Sequence, residues 1–183
     1  MTNTTESASA SPAGQATGTL HLQRWTINSG SNVQSRGAVV IASGEHQWEA
    51  RAEGNGPVDA LYRAVDRALE DVLAGPPRLL SYDVHAVSEG PESEGVVTVT
   101  IAPPASATGA RAAGRYEGRA QSPNIIAASV EAYIAAINGL LGEEHWAGAT
   151  EDAGNRRRAR AGTRSGELDR AAGEIDVTDW FNR

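Results

Sequence analysis

Apolar and polar positions alternate along the chain in a way that predicts the same order of elements twice. Three short β-prone runs, LHLQRWTI, AVVIA and HQWEARAE, precede a helical pattern from Pro57 to Leu73. The pattern restarts with LLSYDVHAVS, GVVTVTIAP and GRYEGRA, followed by a second helical stripe from Pro123 to about Leu141. Both prolines are predicted at the first helical position, where a missing N–H costs nothing. The sequence therefore predicts an α+β fold in which duplicated βββα units form a sheet-and-helix sandwich.

Composition divides the chain into an ordered centre and two tails. Residues 1–18 contain almost no bulky apolar side chain, so we expect a disordered N-terminal tail. Residues 19–142 carry the two units, at about 19–75 and 76–142. Residues 143–183 combine charge blocks and glycines without an apolar period, which predicts a charged, flexible C-terminal tail. A short apolar cluster near its end suits docking on the core or on a partner: Ile175, Val177, Trp180 and Phe181.

The residue types present argue against several classes of function. The chain has no cysteine, which excludes disulfides and thiol chemistry, and its four histidines lack zinc-site spacing, so no metal site is expected. No apolar run approaches the roughly 20 residues of a membrane helix, and the start does not resemble a signal peptide. We therefore expect a soluble, cytoplasmic protein without a membrane partner. The net charge of −7 argues against nucleic-acid binding, although arginines cluster within residues 156–164.

The main candidate for chemistry is the GNGP turn, Gly54 to Pro57, between the third strand and the first helix. The turn lacks the GxGxxG and GK[ST] patterns of nucleotide sites, and the chain contains no lysine, which argues against phosphate binding. Two interpretations remain open. The glycines could simply supply positive φ for a tight turn. Alternatively, free N–H groups at the helix start could receive a carboxylate-sized anion, and the same geometry could recur near Ser122 and Asn124.

Four segments together resemble the C-terminal regulatory domain that α-isopropylmalate synthase shares with citramalate synthase. They are EGNGPVDALYRAVDRAL, LLSYDVHAVSEG, VVTVTI and SPNIIAASVEAYIAAIN, within Leu20 to Leu141. Their order and spacing are more specific than any one of them alone. The resemblance implies a duplicated βββα domain that pairs with a second copy. It also implies that the domain binds an end-product amino acid, leucine or isoleucine, as a feedback inhibitor.

The resemblance also implies which residues bind the ligand. The backbone cradle and part of the wall would be Gly54, Asn55, Gly56, Pro57, Val58 and Asp59. The pocket would be lined by Leu79, Tyr82 and Ala86, and closed from the second unit by Gln121, Ser122, Pro123 and Asn124. Asp59 and Gln121 depart from the family pattern, which commonly has a small apolar and a bulkier aliphatic residue there. A carboxylate at position 59 would repel a ligand carboxylate or assist an ammonium group. No catalytic residue, cofactor or metal is expected.

Three functions are consistent with these observations. The first is a homodimer that binds a branched-chain amino acid, with leucine as the first candidate, and regulates a synthase catalytic chain in trans. The second is a dimerisation or interaction module with a vestigial pocket. The third is the regulatory half of a split synthase. The catalytic barrel of such synthases needs roughly 250 residues, so we expect no synthase activity from this chain alone, and Met1 with its own tail favours a free-standing domain.

Overall fold

The computed structural model describes residues 18–87, 90 and 93–172, with the backbone alone for residues 161–172. The first unit consists of β1 (His21–Gly30), β2 (Val33–Ser43), β3 (His46–Gly54), α1 (Pro57–Ala68) and the short α2 (Glu70–Leu73). The second consists of β4 (Arg78–Ala86), β5 (Gly95–Ala102), β6 (Tyr116–Ser122) and α3 (Ile125–Leu141), and α4 (Ala149–Ala172) follows. Short 3₁₀ turns lie at Gly109–Ala112 and Glu144–Trp146. This order confirms the α+β class and the duplicated βββα arrangement.

Each unit forms its own three-stranded antiparallel sheet, in the orders β1-β2-β3 and β4-β5-β6. In the first sheet, Ile41 lies opposite Trp48, and both side chains are buried. In the second sheet, Val97 and Val99 of β5 are fully buried in the same core. The helices cover one face of the sheets, with α1 on β2 and β3 and α3 on β5 and β6. The apolar core therefore lies between the helix pair and the inner faces of both sheets.

The backbones of α3 and β6 approach each other at Gly118. A Cβ atom at this position would overlap the carbonyl oxygen of Ala132 and the backbone nitrogen of Ala136. Glycine is therefore required for space here, because any side chain would push the helix away from the strand. This close packing fixes the position of α3, and hence of its first turn, against the second sheet.

The two helix starts differ in construction. Pro57 is the first residue of α1, as predicted. The predicted first-position role of Pro123 is wrong, because α3 begins at Ile125 and its N-cap is Asn124, which has an extended backbone. The Asn124 side-chain oxygen Oδ1 accepts hydrogen bonds from the N–H groups of Ile126 and Ala127, at 3.0 and 3.3 Å. An asparagine that satisfies two N–H groups is a stronger helix start than a proline that merely lacks one.

Substitution of the cap tests this assignment. We expect Asn124→Ala to lower the free energy of unfolding by about 1 kcal/mol, because the N–H groups at the start of α3 lose their acceptor. Urea unfolding followed by circular dichroism measures the change. Asn124→Asp is the matched control, since a carboxylate oxygen also caps a helix, and it is expected to stay close to the parent. Equal stability of the alanine and aspartate variants would contradict the assignment.

A side chain covers the outer edge of β3 in the first sheet. Arg67, in the last turn of α1, donates a hydrogen bond from its guanidinium to the backbone oxygen of Arg51 at 2.9 Å. The exposed edge of a strand carries carbonyl groups that need hydrogen-bond partners. At this position the partner comes from the chain's own α1.

The segment after α3 differs from the flexible tail that the sequence predicts. Trp146 is 2% exposed, Ala153 is fully buried, and residues 149–172 form α4. Arg156 donates to the backbone oxygen of Asp71 at 2.9 Å, and Arg160 lies 3.3 Å from the carboxylate of the same residue. Small residues and one tryptophan provide the packing, which produces no apolar period in the sequence. The packed part of the chain therefore extends past the predicted boundary at residue 142.

Among the described residues, no single helix is long and apolar enough to cross a membrane. By length and composition, α3 and residues 144–160 could do so only as a pair, and that pair is bent by 98°. Two predictions lie outside the described residues. They concern positions 1–17 of the N-terminal tail and the apolar cluster of Ile175, Val177, Trp180 and Phe181.

Candidate functional site

Helices α1 and α3 lie side by side and run in the same direction. The Tyr62 hydroxyl donates to the backbone oxygen of Ser129 at 3.1 Å, and the Tyr133 hydroxyl donates to Oδ1 of Asp66 at 2.7 Å. In each pair the two residues are 67 positions apart in the sequence. The second pair lies one helical turn beyond the first on both helices, as expected for two parallel neighbouring helices. The starts of α1 and α3 therefore lie at the same end of the helix pair, as a site shared by the two units requires.

The first helix start contains a carboxylate from the chain itself. The N–H of Asn55 donates to Oδ2 of Asp59 at 2.9 Å, and Nε of Arg63 lies 3.0 Å from the same oxygen and 3.1 Å from Oδ1. The hydrogen bond from Asn55 lowers the pKa of Asp59 and outweighs the opposing effect of burial, and Arg63 lowers it further. The carboxylate is therefore ionised at neutral pH, and the Asn55 N–H is not free.

The two glycines of the GNGP turn do not supply positive φ. Neither is among the positive-φ glycines of the described residues, and Gly56 has an extended backbone with φ −161. Gly54 is required for space instead, because a Cβ atom there would overlap the backbone nitrogen of Ala60 and lie 2.7 Å from Oδ2 of Asp59. No heavy atom lies within 4 Å of a Cβ placed at Gly56. The turn is thus tightly packed against Asp59 at Gly54, whereas Gly56 has free space beside its backbone.

The second helix start is closed by Asn124, whose side chain caps α3. Its own N–H donates to the Ser122 hydroxyl at 3.1 Å, and Pro123 between them has no N–H to offer. Gln121 lies on the other side of β6, opposite Val96, and its Nε2 donates to the Glu94 carboxylate at 2.5 Å. Successive residues of a strand face opposite sides of a sheet. The structure therefore brings Ser122 and Asn124 to the helix start and points the Gln121 side chain away from it.

Strand β4 forms the wall beside the second helix. Tyr82 lies opposite the buried Val99, and its hydroxyl is 2.8 Å from Oγ of Ser129. Ala86 of β4 lies opposite Gly95 of β5, and Gly95 in turn lies opposite Ser122 of β6. Ala86 is therefore level with the end of β6, where α3 starts. Leu79 precedes Ala86 by seven residues, roughly 23 Å of extended strand. A leucine-sized ligand cannot contact both residues within one chain, so the structure does not bring Leu79 to the helix starts.

A largely buried polar cluster lies beneath the helix starts, with Tyr82 at its exposed edge, and we call it the tyrosine cluster: Tyr62, Tyr82, Ser129, Tyr133 and Asp66. The Tyr62 ring stacks on that of Tyr133 at a centroid distance of 4.3 Å and meets that of Tyr82 edge to face at 6.4 Å. Burial raises the pKa of Asp66 to about 6, although the Tyr133 hydrogen bond opposes this change. Burial also raises the pKa values of Tyr62 and Tyr133, so both hydroxyls remain protonated. The cluster connects β4 to both helices.

Of this cluster, the sequence predicted only Tyr82 as a site residue. A signal was present in the spacing. Tyr62 and Asp66 are four residues apart, as are Ser129 and Tyr133, so each pair occupies one face of its helix. Polar side chains repeated on the buried stripes of both predicted helices indicate a polar contact between the helices.

The fold and the paired helix starts define a class of α+β domain with two βββα units. A family model described as the LeuA allosteric (dimerisation) domain matches residues 6–141. The chain belongs to this family, as the sequence resemblance predicted. The match falls on the allosteric and dimerisation domain, not on a catalytic region.

Named relatives support the same assignment. A 2-isopropylmalate synthase of Salinibacter ruber is 37% identical over 103 residues, which is 56% of this chain and 17% of that protein. A putative (R)-citramalate synthase of Methanoculleus marisnigri is 36% identical over 126 residues, or 69% and 23%. A 2-isopropylmalate synthase of Microcystis aeruginosa is 35% identical over 123 residues, or 66% and 21%. The chain thus spans about a fifth of the length of these relatives.

Proposed function

We propose that this chain is a homodimeric regulatory domain of leucine biosynthesis that binds a branched-chain amino acid, with leucine as the first candidate. The description of the family as an allosteric and dimerisation domain supports this proposal, as do the relatives named 2-isopropylmalate synthase. The regulated partner would be a synthase catalytic chain acting in trans. We propose no synthase activity for the chain alone, because the match falls on the allosteric domain and on a fifth of the relatives' length.

The observation that carries the proposal is the exposed apolar surface of β4. Six large apolar side chains are well exposed among the described residues, and five of them lie in or directly after this strand: Leu79, Leu80, Tyr82, Val84 and Val87. Val84 is 41% exposed although it lies opposite the fully buried Val97 on the helix-facing side of the sheet. In the described chain, no helix packs extensively on β4. A second copy that covers the helix-facing side of β4, where Tyr82 and Val84 lie, would complete the core.

The ligand would bind beside this face, at the helix starts. Val58, Ile125 and Ile126 in the first helical turns are half-buried, so they offer a partly open apolar wall for a branched side chain. The open side of Gly56 leaves space next to the backbone. Hydroxyl groups of the tyrosine cluster, which are hydrogen-bonded within the protein, would form the polar base. An apolar wall with a few convergent polar groups is the usual composition of a small-molecule site.

Calorimetry tests amino-acid binding. We expect leucine to give saturable heat with the full chain, and valine to bind more weakly because it fills less of the apolar wall. At 100 times its dissociation constant, leucine should stabilise the fold by about 2.7 kcal/mol, which a thermal melt detects. D-Leucine is the matched control, since it has the same composition and the opposite hand. Absence of both heat and stabilisation would contradict the proposal.

The second candidate function is a dimerisation module with a vestigial pocket. It is favoured by the contacts at both helix starts, where Asp59 and Asn124 already accept hydrogen bonds from backbone N–H groups. Size-exclusion chromatography with light scattering separates the two functions when combined with the calorimetry. A dimer that gives no heat with any branched-chain amino acid would support this alternative.

A further inference from the structure

We propose that the chain has a second small-molecule site, a cavity at the C-terminal end of α3 that binds a short organic ammonium ion. The cavity has a volume of about 310 Å³ and lies between the last turn of α3, the start of α4 and the residues before β1. This volume is at the lower end of the range for small-molecule sites. Helix α3 has 17 residues, or roughly 25 Å of helix, and the cavity is at the opposite end from Ile125. The site is therefore separate from the helix starts, and it goes beyond the proposed function.

The walls of the cavity are held in place by contacts within the chain. The Asn138 side chain binds the backbone of Leu20, which donates to Oδ1 at 2.9 Å and accepts from Nδ2 at 2.8 Å. The Arg111 guanidinium lies over the ring of Trp146, 4.6 Å from its centroid. Both Asn138 and Trp146 line the cavity. The cavity is therefore framed by side chains with fixed partners, and the polar atoms of Asn138 are not available to a ligand.

Two buried polar side chains in these walls lack hydrogen-bond partners among the described residues. Thr150, at the start of α4, is only 7% exposed, and its hydroxyl bonds to none of those residues. Nε1 of Trp146 is buried and equally without a partner in that part of the chain. Nearly all buried polar groups in proteins are hydrogen-bonded, so an exception indicates a bound molecule or an ordered water. The Thr150 oxygen is an acceptor that the N–H of a ligand can use.

The charges at the cavity favour a positive ligand. Glu151 is the one ionisable side chain among the described lining residues. The last turn of α3 contains no basic residue, so the partial negative charge of its final carbonyl groups is not offset there. The positive start of α4 already faces its own acids, Glu151 and Asp152. An ammonium ion can therefore donate hydrogen bonds at this end of α3 and to Thr150 while it pairs with Glu151.

The rest of the lining sets the shape of the ligand. Leu141 and the ring of Trp146 provide apolar surface, and no heavy atom lies within 4 Å of a Cβ placed at Gly148. An apolar wall with one acid and one hydroxyl suits a short aliphatic chain that carries a single ammonium group. A carboxylate of the same length would meet the like charge of Glu151.

Titration of the full chain with n-butylammonium chloride tests the site. Binding is followed by the melting temperature and by tryptophan fluorescence, because Trp146 lines the cavity. We expect a saturable change in fluorescence and a rise in melting temperature. n-Butanol is expected to bind at least about tenfold more weakly, because it lacks charge-assisted hydrogen bonds, and butyrate is expected not to bind. Sodium chloride at the same concentration controls for ionic strength.

Two variants test the position of the bound ion. Thr150→Val keeps the shape of the side chain and removes the hydroxyl, and Glu151→Gln removes the charge. Each is expected to weaken butylammonium binding at least about fivefold. Their melting temperatures should stay close to that of the parent, since neither side chain has a hydrogen-bond partner among the described residues. Glu144→Gln is the matched control, because Glu144 is an exposed acid in the 3₁₀ turn before α4 and does not line the cavity.

The outcomes separate this inference from the proposed function. Butylammonium binding that both variants weaken, and that saturating leucine leaves unchanged, would support the cavity as a site of its own. No binding, equal binding of butanol, or affinities that the folded variants leave unchanged would overturn the inference. Displacement of butylammonium by leucine would also overturn it, because the two ligands would then share one site. Absence of leucine binding alone would refute the proposed function and leave this inference standing.

Discussion

Arginine in place of Val84 is expected to convert the proposed dimer into monomers. Val84 lies on the helix-facing side of β4 and is 41% exposed, so a single chain can place an arginine there in solvent. In the proposed dimer the same side chain would be removed from water among apolar neighbours such as Leu79 and Tyr82. An unpaired buried charge costs about 3 kcal/mol or more, and the symmetry of the dimer introduces it twice. The dissociation constant should therefore rise at least about a hundredfold.

Sedimentation velocity measures this change, because the mass of one chain is 19.1 kDa and a dimer has twice that mass. His85→Arg is the matched control. It introduces the same charge at the next residue of β4, on the opposite face of the strand, and is expected to remain dimeric. Circular dichroism should show that both variants are folded. A folded Val84→Arg variant that stays dimeric, or a parent chain that is monomeric at micromolar concentration, would refute the proposed interface.

The second large effect is expected for Asp66→Asn. This substitution should remove a pH dependence of the free energy of unfolding. Burial raises the pKa of Asp66 to about 6, above the 3.8 of an unperturbed aspartate. As the pH rises, Asp66 therefore loses its proton in the unfolded state before it does so in the folded state. The stability that protonated Asp66 contributes is fully present below about pH 4 and is lost as the pH rises through 6. The loss corresponds to about 3 kcal/mol, at 1.36 kcal/mol for each pKa unit.

Urea unfolding at several values between pH 4 and 7.5 tests this prediction. Asp66→Asn carries no charge at any of these values, and its side-chain oxygen can still accept from the Tyr133 hydroxyl. The variant and the parent should have similar stability near pH 4, and the variant should be more stable at pH 7.5. Glu131→Gln, at an exposed position of α3, controls for the loss of one acid. Parallel stability curves for Asp66→Asn and the parent would show that Asp66 does not titrate in this way.

Much of the fold follows from local patterns. Alternation within the strands and the 3.6-residue period within α1 and α3 predict the order of all six strands and of the two main helices. The boundary of α3 is less predictable, because Pro123 and Asn124 are both good start residues and only the side-chain hydrogen bonds of Asn124 decide between them. α4 could not be predicted from periodicity, since its packed face consists of small residues such as Ala153 and Gly154.

The kinds of residue at the candidate site could be predicted from the sequence better than their orientation and contacts. The sequence predicted that N–H groups near this turn could receive a carboxylate, as one of two open interpretations. The observed contact of the Asn55 N–H with Asp59 depends on the close approach that Gly54 permits. The orientation of Gln121 could not be predicted, because the resemblance does not show which face of β6 each residue occupies. Contacts between distant segments, such as that of Tyr133 with Asp66, depend on how the two units are arranged in space.

The guanidinium of Arg67 also limits how copies of this chain can associate. With the Arg51 carbonyl already bonded, β3 offers a poorer template for a strand from a neighbouring molecule. Chains that meet by edge-to-edge pairing can continue into open-ended fibrils, whereas chains that meet through one self-complementary face stop at two. The arginine thus removes one free carbonyl from the edge of β3, and its substitution would expose that carbonyl to a neighbouring molecule.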